Sequence, residues 1–426
     1  MRLTVGKPDE RASLPAPRSS LPTPNSPLPT MDLHRAIAAA DNGMWSIVID
    51  CLQDLPLDRL QANDRVLDLA LQALLQGDLE QQWAIAKVIP KLGEIALWPL
   101  LEIANDSDMD LEDRWAVGRI LGAFNQPQSI ASLIALIQQD EDAELTSIAT
   151  GALAQIGTPA IDAVTALLDP TAVNAAVQRG LAVRILARIR HSQTIEPLLQ
   201  LLDDPDPQIR TSVIEALGSF HDPRIPTLLI SKLTDVAPNV RTAAVVALCL
   251  RGDLATELNL LDRLQPLLFD LNLEVCIATA LGLARWPDPS VVPVLAKVLG
   301  SSQTPDRLKS AVILALGWID TQPAIDTLMA QLTTASPLAP EPIVAVGKSE
   351  REREYASHQL VAYLQSPHIA ATPSLASVKQ EIATALGNLG NLATVPALEQ
   401  LLTDPDDRVR LHARAAISKL SAPVGE

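Results

Sequence analysis

The sequence predicts an all-α protein, a right-handed solenoid of stacked helical pairs. Two near-copies of one unit carry that reading. TIEPLLQLLDDPDPQIRTSVIEALGSFHDPR runs from Thr194 to Arg224, and IPTLLISKLTDVAPNVRTAAVVALCLRGD runs from Ile225 to Asp253. In each, an apolar helix enters an acidic, proline-containing turn, and a second helix follows that ends on a small residue, Gly218 or Cys249. Arg210 and Arg241, near the start of the two second helices, are 31 positions apart, as are Gly218 and Cys249. A unit of that length cannot bury its apolar stripe alone and must stack on copies of itself.

The same frame recurs along most of the chain. The closing residue, usually small, falls at Pro90, Gly122, Ala154, Ala187, Gly218, Cys249, Gly282, Gly317 and Gly387, at spacings of 31 to 35 residues outside one irregular region. Eight positions before each stands Gln82, Arg114, Thr146, Arg179, Arg210, Arg241, Glu274, Lys309 or Lys379, and Arg410 continues the column.

Taken in order, residues 1–30 form a proline-rich tail with Ser and Thr and no helical period, expected to be extended and disordered. Met31 opens MDLHRAIAAADNG and reads as well as a natural start as Met1 does, leaving open whether 1–30 is translated. Helical pairs are expected from Leu33, with Leu33–Ala40, Met44–Gln53, Asn63–Leu75 and Leu79–Leu92 first, in an array over 31–332. The period breaks over 333–377, read as a hinge. There a loop precedes a helix remnant, IVAVGK, and a longer helix starts at Ser349. Repeats resume at 378–426.

Bulk composition narrows the function. The formal net charge is -17, which repels a phosphate backbone, so no nucleic-acid partner is expected. No apolar run is long enough to span a membrane. Six Trp, two Tyr and three Phe leave a Leu/Ala/Ile/Val core, suited to closely packed helices. Cys51, Cys249 and Cys276 form no CxxC pair, which points to a reducing, cytoplasmic setting and to buried, inert thiols.

The phrase LLDDPDPQIRTSVIEALGSFHDPR, with its DPD-x-x-[VI]-R and A-L-G elements, resembles the HEAT-like repeats of the phycobilisome-lyase type. Such repeats occur in the paired phycocyanobilin lyase subunits and in a related protein linked to phycobilisome degradation. The resemblance covers about residues 79–320 and 378–420. It implies a cyanobacterial-type cytosol and a phycobiliprotein or linker as partner. It also leaves two functions to weigh, a non-enzymatic scaffold and a phycobilin lyase or bilin chaperone.

Catalytic constellations are sparse. GxGxxG, GxSxG and HExxH are absent, and no histidine is followed by Glu. The His-Glu pairs of the di-iron deoxyhypusine hydroxylases, another HEAT-repeat family, are therefore missing. No catalytic residue, metal ligand or cofactor is assigned, a bilin being the one ligand the resemblance suggests. His191 and His221 lie just past helix ends, where a cation meets the helix dipole. The Arg column reads first as a ladder pairing with the acidic turns of neighbouring repeats.

One constellation points to binding. Counting from the residue before the Arg column, positions three, four and seven should face away from the first helices, on the face expected to be concave. Position three is Trp83 and Trp115 in consecutive repeats, and position seven is Lys87 and Arg119. With Arg114, these residues are the candidate site for a ligand or partner. Two flat rings beside cations suit a carboxylate-bearing aromatic ligand or an acidic helix. Glu112 and Asp113 nearby carry no sequence feature that would raise a carboxyl pKa.

Overall fold

The computed structural model describes residues 29–421, apart from 58–59, 61–63, 140–141, 170, 172–173, 287, 333–339, 368 and 370–374. The tail over 1–28 and most of the loops expected within 333–377 lie outside the described residues. Among the described residues there are α-helices, short 3-10 turns and no strand. The chain divides into two compact units, Met1–Ile156 and Gly157–Glu426. That division falls inside the stretch expected to be one array.

In the first unit, α1 (Pro29–Ala40), α2 (Trp45–Gln53) and α3 (Asp64–Gln76) precede α4 (Leu79–Ile85). Then follow α5 (Glu94–Asn105), α6 (Leu111–Leu121), α7 (Pro127–Gln139) and α8 (Ala143–Ile156). The helix expected over Leu79–Leu92 is split. The α4 segment ends at Ile85, and a separate 3-10 turn, Ile89–Leu92, carries Pro90, which lacks the N–H a continuing helix would use.

The second unit opens with α9 (Ile161–Ala166), α10 (Ala175–Ile189), α11 (Ile195–Leu199), α12 (Pro207–Leu217), α13 (Ile225–Ser231) and α14 (Pro238–Cys249). It continues with α15 (Leu260–Leu264), α16 (Leu273–Leu283), α17 (Val291–Gly300), α18 (Asp306–Ile319) and α19 (Gln322–Gln331). It closes with α20 (Pro340–Val346), α21 (Arg353–Leu364), α22 (Leu375–Leu389), α23 (Val395–Leu401) and α24 (Asp407–Ser421). Second helices pack on one another in series, α10 on α12, α12 on α14, α14 on α16 and α16 on α18. The series runs on through α20 and α22 to α24.

Small closing residues allow that approach. A Cβ added at Gly122 would stand 2.9 Å from the Cα of Ala152, and one at Gly347 would stand 2.8 Å from the Cα of Ala385. Gly347 therefore does for α20 what Gly317 does for α18. The helix expected as a remnant is a full member of the stack. Stacking also crosses the region through side chains. The Tyr363 hydroxyl donates to the Leu332 carbonyl at 3.0 Å, and Tyr355 donates to Asp326 Oδ1 at 2.6 Å. The second of these helices begins at Arg353, not at Ser349. Asp320, in a left-handed conformation at φ 48°, takes the N–H groups of Glu350 and Arg351 on Oδ2 at 2.8 Å each, which holds that stretch as a turn.

The Arg column forms the expected ladder in the second unit, with a difference in depth. Arg179 bonds Asp204 (Nε–Oδ2 2.6 Å), Arg210 bonds Asp235 (Nη2–Oδ1 2.7 Å) and Arg241 bonds Asp270 (Nη2–Oδ1 2.6 Å). Lys379 makes the same reach to Asp404. Each carboxylate also caps its own turn, as where Asp235 Oδ1 accepts the Ala237 N–H at 2.8 Å. Arg210 and Arg241 donate a further bond to the carbonyls of Asp204 and Asp235, both at 2.7 Å. Exposed pairs of this kind would each be worth about 0–1 kcal/mol. The Arg210 and Asp235 side chains are instead only 10% and 9% exposed. Breaking a pair buried to that degree costs about 3–5 kcal/mol, because the remaining charge is left unpaired.

Candidate functional site

The site is built on α4 and α6, the second helices of two consecutive repeats. Asp78 fixes the start of α4 with a capping box: its carboxylate accepts the Gln81 N–H, and Gln81 Oε1 accepts the Asp78 N–H, both at 2.9 Å. One turn on, Trp83 projects from α4 and is 55% exposed. The ring is therefore not part of the core. Arg119, on α6, places its guanidinium carbon 5.5 Å from the centre of the Trp83 ring. An exposed cation–π contact of this kind contributes about 0.5–1 kcal/mol. Arg119 Nε also leans on the Trp115 carbonyl at 3.4 Å.

The other three residues take different places. Trp115 is half-buried, and its Nε1 donates to Asp142 Oδ1 at 3.0 Å. That same oxygen accepts the Leu145 N–H at 2.6 Å, so the Trp115 ring is tied to the start of α8. Lys87 is exposed just beyond α4, in the turn before Ile89. Arg114 is 7% exposed and gives Nε to the Ala104 carbonyl at 3.2 Å. Its position is that of a structural member of the Arg column. The structure therefore joins Trp83 with Arg119, leaves Lys87 exposed, turns Trp115 toward the next repeat and buries Arg114.

Electrostatics around the site hold one surprise. Burial pushes the Asp113 carboxyl above the usual range, and the neighbouring charges of Asp110 and Glu112 push the same way. The acidic neighbours Asp110 and Glu112 are visible in the sequence, but the burial that matters most depends on packing. The cysteines behave as expected: all three are buried, and burial pushes the Cys249 thiol up to about 12. His191 has another role than the one expected, for its Nδ1 accepts the Gln193 N–H at 3.3 Å and caps a 3-10 turn. Among the described residues, no group of three or more His, Cys, Asp or Glu side chains could hold a metal ion. No helix there is long and apolar enough to cross a membrane.

The second unit carries exposed residues on the same column that the sequence reading passed over. Val246 of α14 and Leu250 just past its end, 48% and 53% exposed, line a groove of ≈ 710 Å³ with Thr211 and Thr242. Leu314 and Trp318 of α18, 41% and 55% exposed, line another of ≈ 760 Å³ with Val344 and Lys348. Leu250 and Trp318 stand at position eleven of the frame, one turn past the last position counted. Extending the count by four would have found them.

Stacked helical pairs, closed by small residues and joined by Arg–Asp rungs, match a family of HEAT repeats over residues 95–181, 173–249, 260–339 and 368–424. The chain belongs to the HEAT-repeat family. Among solved structures, this HEAT-repeat chain is similar to human deoxyhypusine hydroxylase in complex with glycerol, at 23% identity, covering 64% of this chain and 99% of that one, with a TM-score of 0.27. It is also similar to the Escherichia coli protein YibA, at 17% identity, covering 67% and 100%, with a TM-score of 0.41. A third likeness is to the karyopherin Kap121p bound to Nup53p, at 15% identity, covering 92% and 53%, with a TM-score of 0.49. No curated protein matches the chain.

Proposed function

We propose that this chain is a non-enzymatic protein-interaction scaffold in a cyanobacterial-type cytosol, holding a phycobiliprotein or a phycobilisome linker against its second-helix columns. The observation that carries this reading is Trp83, a large apolar ring left 55% exposed and capped by the Arg119 guanidinium. Exposed Trp and Arg side chains are the residue types that dominate binding energy at interfaces. The kind of partner follows from the resemblance of the DPD-x-x-[VI]-R repeats to the phycobilisome-lyase type.

Asp113 favours a second reading, a phycobilin lyase or bilin chaperone. A bilin could lie on Trp83 with its carboxylates toward Arg119 and Lys87. Attachment would join a thiol of the acceptor protein to the chromophore and would need a proton donor. A carboxyl raised above its usual range, one residue before Arg114 and two before Trp115, is the candidate. The scaffold leads because it needs positioning alone.

Mixing the purified chain with apo-phycobiliprotein and phycocyanobilin, then reading covalent pigment on a denaturing gel by zinc-enhanced fluorescence, separates the two. The scaffold predicts a complex by gel filtration and no more adduct than forms without the chain. A native-like adduct that requires the chain, and is lost in Asp113→Asn, would replace the scaffold with the lyase.

A further inference from the structure

In a chain with an excess of acidic groups, the ladder arginines of the second unit and several others have a carboxylate partner. Arg179, Arg210, Arg224, Arg241, Arg251 and Arg307 all do. Three neighbours differ. Arg184 and Arg188 on α10, and Arg190 just after it, are exposed and line one groove of ≈ 830 Å³ between α10 and α12.

Arg184 and Arg188 are four residues apart and share a helix face. Arg188 and Arg190 sit where the C-terminal dipole of α10 favours a cation, but that influence ends within the last turn and does not reach Arg184. Arg190 holds a left-handed backbone at φ 53°, a conformation that glycine or asparagine takes more readily. Gly180, at position three of the same repeat, has nothing within 4 Å of where a Cβ would be, so the groove stays open between the guanidinium groups and α12.

We propose that this groove binds an acidic peptide segment of a protein partner, with carboxylates on Arg184, Arg188 and Arg190. Guanidinium groups bind carboxylates through paired, charge-assisted hydrogen bonds, which specify geometry as well as charge. One feature chooses a peptide over a polyphosphate, since the Asp206 and Glu215 carboxylates that also line the groove oppose either polyanion. Val177 at the same groove is 63% exposed, which suits an apolar residue set between acidic ones. The inference rests on the scaffold reading only in taking a protein as the partner, and it uses none of the residues around Trp83.

The test is fluorescence anisotropy of the full chain with a fluorescein-labelled peptide of alternating Glu and Leu. A Gln/Leu peptide and a thymidine oligonucleotide of equal formal charge serve as controls. The Glu/Leu peptide should bind saturably, with affinity falling about tenfold in each of Arg184→Ala and Arg188→Ala, as loss of one charge-assisted bond implies. Arg184→Lys should fall between, and Trp83→Ala should leave this binding unchanged. Unshifted melting curves would show that the variants fold, as their exposed positions lead one to expect. Failure of the peptide to bind, equal binding of the Gln/Leu control, or indifference to the arginine variants would overturn the proposal. So would oligonucleotide binding that the same variants abolish, since it would assign the groove to polyphosphates.

Discussion

Arg210 of one repeat and Asp235 of the next are locked by two parallel hydrogen bonds, Nε–Oδ2 at 2.9 Å and Nη2–Oδ1 at 2.7 Å. The fork fixes the register of α12 against the turn that opens α14. Its geometry makes Arg210→Ala and Asp235→Ala each cost about 3–5 kcal/mol, because either change leaves a buried charge without its counter-ion. The double variant should cost less than the sum. Urea unfolding of the four proteins in a mutant cycle measures the coupling. Single-variant losses below about 1 kcal/mol would mean the rung is as weak as an exposed pair.

Acid should weaken the same ladder. Burial pushes the Asp235, Asp270 and Asp404 carboxyls up, but it is outweighed by bonds from Arg210, Arg241 and Lys379, and from the turn N–H groups. All three are held below the ordinary value of about 3.9. A carboxyl depressed in the folded state contributes stability that is fully present above the unfolded pKa and is lost as pH falls through the folded one. Unfolding free energy should thus be insensitive to these groups above about pH 5 and fall steeply below about pH 4. Asp235→Asn should flatten part of that fall in urea titrations at several pH values.

Close helix approach makes the closing glycines intolerant of bulk. Gly122→Leu would drive a side chain into the backbone of Ala152, where even a Cβ stands 2.9 Å from Cα. A loss of about 1–3 kcal/mol is expected from such overpacking. Thermal melts followed by circular dichroism would measure it, and an unchanged melt would mean that α6 and α8 can part at little cost.

The repeat type and its frame were legible because period, turn and small closing residue are local patterns that copy themselves along the chain. The Arg–Asp partnership was legible too, since Arg210 and the acidic turns recur at fixed offsets. Its depth was not, because burial of Asp235 depends on how successive repeats overlap. The role of α20 was not read, although Gly347 carries the same signal as Gly317. At the site, the frame put Trp83 and Arg119 four positions apart on adjacent repeats, and in the structure the two are in contact. The diversion of Trp115 to Asp142 was not legible, since it hangs on the rotamer of one ring. Trp318 was missed by stopping the count at position seven.

Trp83 and Trp115 should separate in stability experiments. Trp83→Ala removes an exposed ring and should cost less than about 1 kcal/mol, the worth of its contact with Arg119. Trp115→Phe removes the bond to Asp142 and should cost about 1 kcal/mol, rising to about 1–3 kcal/mol if Asp142 is left unsatisfied. Equal losses for the two variants in denaturant melts would contradict the different places the structure gives them.

We propose that the exposed Trp83 ring, capped by Arg119, is part of the surface that holds a phycobiliprotein. The decisive measurement is biolayer interferometry with immobilised phycocyanin, titrating the wild-type chain and Trp83→Ala. Saturable binding of the wild type is expected, with a loss of about thirtyfold or more in the variant, the size of an interface hot spot, and melting unchanged. Absence of wild-type binding, or equal affinity of the two proteins, would contradict it.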